Sequence, residues 1–206
     1  VTVTNNEGGN YIIVSGEGAF EIRPAEITVR PKNVTKVYGT AAVFGLESDS
    51  PLIDDETLAQ FAEPNVFESE GAAANAPVVE GGYTISAKLN KNTTKNLILK
   101  VDGTGVLTVT PAQLTVRAKK VTREYGAENP PIEVEYLGFV LGEDESVLGG
   151  ELRLSYDSAI DERAEVKTYD GAAKAEGNLT STNYDIHYEN GDVEIVRISV
   201  NASAGT

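Results

Sequence analysis

The chain has 206 residues with a formal net charge of −15, because 32 acidic residues face 17 basic ones, and it contains no cysteine. The absence of cysteine excludes disulfides and thiolate metal sites. The negative charge repels phosphate backbones and anionic lipid surfaces, so neither nucleic-acid binding nor membrane contact by this segment is expected. The sequence begins at Val1 without a signal peptide, and we expect it to be a segment of a longer exported precursor.

The first predicted element is a β-hairpin over residues 10–22. The same pattern of alternating residues around a turn recurs over 96–109 and 183–195, and the three stretches begin 86 and 87 residues apart. In the last of them, Asn190-Gly191 is typical of a two-residue hairpin turn with positive φ. Residues 1–24 are therefore expected to be the C-terminal hairpin of a preceding repeat.

A longer repeat follows the first of these stretches. Residues 25–39 and 112–126 are identical at nine of fifteen positions, and both end in Tyr-Gly. A period this long indicates small domains in series. We predict a tandem array of two modules, 25–111 and 112–198, with 199–206 as the start of a following segment. Only Pro111 and Ala112 join the two, which leaves little slack and favours a limited range of angles between them.

In each copy of this segment, the apolar residues expected to face inward move from one set of alternating positions to the other partway along. Ile27 and Val29 occupy odd positions, whereas Val34 and Tyr38 occupy even ones, and the second copy shows the same switch. Because successive side chains of a strand point to opposite faces, keeping all four inward requires a bulge or tight turn near Lys32 and, in the second copy, near Lys119.

One helical turn or short helix is predicted in the middle of each repeat. Residues 54–61 and 144–148 each combine a capping aspartate with acidic first-turn residues and later apolar ones. The other segments are predicted to be extended. The predicted fold class is therefore mainly β, of the α+β type, with one short helix in each of two small domains.

These patterns together resemble a known family. The opening Leu/Ile-Thr-Val, the Val-Thr-Lys/Arg-x-Tyr-Gly that follows, the late Asn-Tyr-x-Ile and the closing Val-x-Ile-Val resemble the MBG domain of the Tyr-Gly-X type. The resemblance implies a β-grasp-like fold, an extracellular location in bacterial surface or adhesin-like proteins, and no catalytic residues. The first copy fits less well, because Leu97 replaces Tyr184 and residues 48–82 depart from the usual middle. The residues that carry the resemblance are Ile27, Thr28, Val29, Val34, Thr35, Tyr38, Gly39, Leu114, Thr115, Val116, Val121, Thr122, Tyr125, Gly126, Asn183 and Tyr184.

The Tyr-Gly pairs are the candidate site residues. Tyr38-Gly39 and Tyr125-Gly126 are interpreted as fold markers, with the ring packed at a strand end beside a glycine that permits an unusual backbone angle. The alternative is a platform on which a sugar ring stacks. Repetition favours the structural interpretation, since a position that defines the fold recurs wherever the fold does.

The other residue types that could support catalysis or bind a metal are placed in the sequence as structural or solvent-exposed residues. His187 is the only histidine, and it alternates out of phase with its apolar neighbours, which favours an exposed strand position. The acidic clusters 54–56 and 143–145 are interpreted as capped helix starts on a solvated face, with calcium binding as a weaker alternative. No catalytic residue, cofactor site or metal site is predicted.

The leading functional hypothesis is a non-catalytic extracellular stalk or spacer of a bacterial cell-surface, adhesin-like protein. Its expected partners are neighbouring repeats of the same chain. The alternative is an adhesion module that binds a host glycan or protein through strand edges or through the region 48–82.

Overall fold

The computed structural model describes residues 23–50, 58, 67–89 and 97–198. As predicted, the protein is mainly β. The described residues of the first repeat form seven strands: β1 Ala25–Pro31, β2 Val34–Val37, β3 Leu46–Ser48, β4 Phe67–Glu68, β5 Tyr83–Ala87, β6 Leu97–Val101 and β7 Gly105–Thr110. The second also contains seven: β8 Ala112–Ala118, β9 Val121–Glu124, β10 Val134–Leu137, β11 Leu152–Tyr156, β12 Thr168–Gly177, β13 Tyr184–Glu189 and β14 Gly191–Val196.

Both repeats arrange their strands in the same two sheets. The three-stranded sheets have the orders β3-β1-β6 and β10-β8-β13, and the four-stranded sheets have the orders β2-β7-β5-β4 and β9-β14-β12-β11. In each repeat the first two strands run parallel to the last two, as in the pairs β1 with β6 and β2 with β7. In the described part of the chain, every strand pair lies within one repeat.

The change of parity marks the corner at which the chain passes from one sheet to the other. β1 ends at Pro31 and β2 begins at Val34 in the second sheet, and β8 and β9 are separated in the same way. A glycine lies against each corner, because a Cβ at Gly105 would be 2.8 Å from the carbonyl oxygen of Lys32, and one at Gly191 would be 2.4 Å from that of Ala118. The predicted turns near Lys32 and Lys119 are confirmed. They are sheet-to-sheet corners, which explains why the inward face changes there.

The predicted hairpins over 96–109 and 183–195 are wrong. β6 and β7 follow each other in the chain but lie in different sheets, and so do β13 and β14. Each strand instead pairs in parallel with an early strand of its repeat, such as β13 with β8 over six residues. Gly191 does not adopt positive φ, since it serves the close approach at the corner. The predicted hairpin over 10–22 lies outside the described residues.

Of the two forms predicted for the second repeat, a helical turn or a short helix, the chain forms the turn and not the helix. Asp144 accepts a hydrogen bond from the backbone of Ser146 as a cap should, but it begins only a 3₁₀ turn, Glu145–Val147. The chain becomes extended at Leu148, and Gly149 then forms a β-bridge with Thr180 through two 2.9 Å hydrogen bonds. This non-local pairing ends the turn before a helix can continue. Of the other predicted helix, over 54–61, only Leu58 is described. Nothing in the described ranges forms a helix long and apolar enough to cross a membrane.

Among the described residues, the buried apolar side chains form three clusters. One lies within the first repeat around Ile27, Val29 and Leu99, and one lies within the second around Ala173 and Val193. The third contains residues of both repeats. It packs the first repeat against the second, and it contains Tyr38 of the first Tyr-Gly pair.

Candidate functional site at the contact between the repeats

The third cluster forms a direct contact that we call the joint. From the first repeat it includes Tyr38, Gly39 and Val78, and from the second it includes Val140, Glu143, Asn183 and Tyr184. Tyr38 follows the end of β2, and Tyr184 begins β13. The strands of both repeats therefore position the groups that meet here.

Two tyrosine rings lie at the centre of the joint. Tyr38 and Tyr184 are each 4 % exposed, and their rings meet edge to face with centroids 5.7 Å apart. Phe139 contacts the Tyr184 ring in the same manner at 5.3 Å. Edge-to-face pairs stabilise beyond the area that they bury, so the rings hold the repeats together in a specific geometry.

Glu143 binds both tyrosine hydroxyls. Tyr38 donates to Oε1 at 2.8 Å and Tyr184 donates to Oε2 at 2.5 Å. The Tyr184 hydroxyl also accepts from the backbone N–H of Val140 at 3.0 Å. Hydrogen bonds to a charged acceptor are stronger than neutral ones, and this carboxylate joins one repeat to the other.

The pKa values of the two phenols reflect this environment. Burial, and then the hydrogen bond to Glu143, raises the pKa of Tyr184 from 10.0 to about 12. The same two causes raise the pKa of Tyr38. At neutral pH both hydroxyls therefore stay protonated and can donate to the carboxylate.

Gly39 permits close approach of the two repeats. Its φ is +91°, and a Cβ at this position would lie 2.6 Å from Cγ2 of Val140. Its N–H donates to the carbonyl of Ala74 at 3.0 Å, within its own repeat. The glycine therefore serves both the backbone angle and the packing of Val140.

Asn183 forms a further polar contact across the joint. Its side-chain oxygen accepts from the N–H of Val78 at 3.0 Å, and its backbone carbonyl accepts from Ala112 at 2.9 Å. One residue thus binds a loop of the first repeat and the first strand of the second. This brace lies beside the covalent junction at Pro111.

The second Tyr-Gly pair has the same local backbone and a different environment. Tyr125 donates its N–H to Val196 at 2.9 Å, just as Tyr38 donates to Thr110 at 2.9 Å. Tyr125 is nevertheless 43 % exposed. A Cβ at Gly126, whose φ is +79°, would meet no atom of the described residues within 4 Å. The assignment of both pairs as fold markers stays a prediction, and the structure adds that only Tyr38-Gly39 is covered.

A buried cation recurs two residues before each tyrosine. Lys36 and Arg123 are each 5 % exposed. Lys36 donates to the carbonyl oxygens of Thr40 and Ala73, and Arg123 donates to that of Asp161 and to Asn129. Each cation thus fastens a loop of its own repeat against its second strand. Burial lowers the pKa of Lys36.

The sequence did not single out Glu143 or Lys36. Glu143 was assigned to a solvated acidic face, and nothing in its local sequence distinguishes it from its acidic neighbours. Lys36 could have been found, because the parity that predicts an inward Val34 and Tyr38 also points Lys36 inward.

The other candidates from the sequence do not converge on this contact. His187 is exposed, as predicted, and its Nε2 lies 2.7 Å from the side-chain oxygen of Gln113. Within the described ranges, no group of three or more His, Cys, Asp or Glu is placed to hold a metal ion. The described part of the region 48–82 contributes to an open groove beside β5, lined by Phe67, Ser69, Gly82 and Tyr83 among others.

Comparison with known protein families supports the resemblance of the second repeat to the MBG domain. The family model of the MBG domain (YGX type) matches residues 114–194. MBG domains are repeat domains of bacterial surface proteins, and they are structural modules rather than enzymes. The predicted family is confirmed for this range and stays a prediction for the first repeat. The comparison with curated proteins found no match.

Proposed function

We propose that this chain, whose residues 114–194 match the MBG domain, is a non-catalytic extracellular spacer of a bacterial cell-surface, adhesin-like protein. Two β-grasp-like modules, 25–111 and 112–198, would be held by the joint at a narrow range of angles. The family supports a structural role at the cell surface. The joint is the observation that carries the spacer role.

The chemistry of the joint supports a stiff connection. A rotation between the repeats would separate Tyr38 from Glu143, break a 2.8 Å hydrogen bond and expose two buried rings to water. The hydrogen bond from Tyr38 has an ionised acceptor, and such hydrogen bonds are stronger than those between neutral groups. Both the polar and the apolar contacts therefore oppose bending.

The arrangement of cores and sheets supports two modules. Each repeat has its own buried cluster and the same pair of sheets. A module of this size can fold by itself, although its core is small. The joint would then add stability that neither module has alone.

The acidic charge fits a crowded extracellular surface. A net charge of −15 keeps such chains soluble and makes neighbouring stalks repel one another. This effect would be screened over about 8 Å at physiological ionic strength. It would therefore act only between stalks that come close together.

Small-angle X-ray scattering of the full chain tests the spacer role. The native chain should give a single narrow intramolecular pair-distance distribution that matches the one calculated from the structure. Tyr38→Ala should broaden the distribution and raise the radius of gyration, because it removes a ring and a donor from the joint. Tyr125→Ala is the matched control, since it makes the same change outside the joint and should leave the profile unchanged. A native profile that requires a wide ensemble of angles would refute the proposal.

A second candidate function is adhesion through the open groove beside β5. The aromatic rings of Phe67 and Tyr83 line this groove together with polar groups such as Ser69 and Ser86, and carbohydrate sites combine these two kinds of group. A glycan array together with mucin binding tests this candidate. Saturable binding that is lost in Ser86→Trp, which fills the groove, would support it and would reject a purely passive spacer.

A further inference from the structure

The exposed end of the second repeat carries the surface features that the first repeat uses in the joint. We call the surface formed by Tyr125, Gly126 and Val166 the free end. We propose that the free end is a docking surface for a further module of the second repeat's type, seated over Tyr125 as the second repeat is seated over Tyr38. This inference rests on the proposed spacer function and names the partner of a second joint.

The backbone at the free end is already in the conformation found at the joint. After each Tyr-Gly pair the chain turns in the same way: Thr40 N–H donates to Val37 at 3.1 Å, and Ala127 N–H donates to Glu124 at 3.2 Å. Both glycines have positive φ. No rearrangement of this segment is needed for a module to dock.

The loop beside Tyr125 is also placed as its counterpart is. Arg123 holds the carbonyl of Asp161 as Lys36 holds that of Ala73. The turn that follows ends in a buried alanine in both repeats, Ala76 and Ala164. Two residues further on, Val78 contacts the joint, whereas its counterpart Val166 is 44 % exposed.

Three large apolar side chains stay exposed at or near the free end. Tyr125 and Val166 are joined by Ile198, which is 55 % exposed just after the last strand. At Gly126, no described residue occupies the space that Val140 fills in the joint. Apolar surface left in water favours association with a matching surface. A neighbour like the one that covers Tyr38 and Gly39 would bury these side chains.

The features of the opposing surface identify the occupant. The second repeat presents Glu143 and Tyr184 to the tyrosine and Val140 to the glycine. The first repeat has Leu97 where the second has Tyr184, since both begin the strand that pairs with the first strand of the repeat. Leucine provides no hydroxyl, so a module of the first repeat's type, and therefore self-association through it, is disfavoured.

The rim of the free end differs in charge from the rim of the joint. Asp161, Glu162 and Arg163 stand where the first repeat has Ala73, Ala74 and Asn75. Acidic groups here would repel an acidic module at low ionic strength. Docking is therefore expected to strengthen as salt is added, and the test is made at low and at physiological ionic strength.

Tyrosine nitration by tetranitromethane, mapped by mass spectrometry, tests the inference. A second copy of residues 112–198 is appended to the full chain directly after Arg197, in place of the residues that follow. In the unextended chain Tyr125 should react much faster than Tyr38. In the extended chain the ratio of the two rates should fall to near one. The matched control appends a copy that carries Tyr184→Leu, which imitates the first repeat, and it should restore most of the reactivity of Tyr125.

Each other outcome counts against a specific claim. If Tyr125 reacts equally fast with and without the added copy while Tyr38 stays protected, the docking surface is refuted and the spacer function stands. If Tyr38 reacts as fast as Tyr125 in the unextended chain, the joint itself is absent and the spacer function fails. An appended copy whose own tyrosines all react has not folded against the free end, which also refutes the inference. Protection of Tyr125 in the unextended chain that grows with protein concentration would assign the surface to a second copy of this chain instead.

Discussion

The two Tyr-Gly pairs differ in environment although their sequences and backbones agree. Tyr38 is buried between the repeats and bound to Glu143, whereas Tyr125 is 43 % exposed. Gly39 is in close contact with Val140, whereas no described residue lies within 4 Å of a Cβ placed at Gly126. Both tyrosines nevertheless make the same backbone hydrogen bond to the last strand of their repeat.

This difference separates two roles that the motif combines. The motif sets the end of the second strand and the positive φ that follows it, and these recur in both repeats. Burial of the ring depends on a neighbour that supplies a carboxylate and a second tyrosine. Equal substitutions in the two Tyr-Gly pairs distinguish these two roles.

The largest effect is expected for Tyr38→Ala compared with Tyr125→Ala. Truncation of a buried aromatic residue costs about 3–5 kcal/mol, whereas most exposed substitutions stay within about 0.5 kcal/mol. Urea unfolding followed by circular dichroism measures both. Equal losses for the two variants would mean that Tyr38 is as exposed in solution as Tyr125.

A smaller difference is expected for Gly39→Ala compared with Gly126→Ala. Both variants place a Cβ at positive φ, which costs roughly 1–2 kcal/mol. Only Gly39→Ala also forces Val140 away, and overpacking adds about 1–3 kcal/mol. Melting temperatures of the two variants check this, and a Gly126→Ala variant that is the less stable of the two would contradict the packing seen at Gly39.

Removal of one hydroxyl should have a still smaller effect. Tyr184→Phe removes the donor to Glu143 and the acceptor for Val140 N–H, and the expected loss is about 1–3 kcal/mol. Tyr188→Phe is the control, because its hydroxyl accepts from Leu179 at 2.9 Å within the second repeat. In scattering, only Tyr184→Phe should widen the distance distribution. If both variants widen it equally, the hydroxyl of Tyr184 has no specific role in the joint.

The smallest effect is expected from pH. The pKa of Tyr184 in the folded protein is about 12, above its ordinary value of 10.0, so the unfolded chain loses this proton first as the pH rises. The stabilisation is complete below pH about 10 and is lost as the pH rises through about 12, and the raised pKa of Tyr38 acts in the same direction. Urea midpoints across this window should fall less steeply in Tyr184→Phe than in the native chain. Parallel curves would show that the joint does not depend on this proton.

Much of the fold could be predicted from alternation and repetition. The strands that contain Ile27 and Leu114, the corners near Lys32 and Lys119 and the family of residues 114–194 are confirmed. These features depend on local patterns, since side-chain direction in a strand alternates whatever the strand pairs with. The domain boundaries and the role of the Tyr-Gly pairs stay predictions.

The wrong predictions share a cause. Asn190-Gly191 is typical of a hairpin, but Gly191 is a glycine because the backbone at Ala118 approaches it closely. Asp144 caps a turn as predicted, but the bridge between Gly149 and Thr180 prevents a helix. In both cases a contact distant in sequence overrides the local preference.

The mainly β character, the repetition and the position of the corner in each repeat follow from local properties of the chain, namely periodicity and the conformations open to each residue. Tertiary structure decided which strands pair, and it decided that Tyr38 is buried while Tyr125 is not. Glu143 shows the physical reason. It lies 105 residues from Tyr38, and its carboxylate acquires its role only when folding brings two hydroxyls to it.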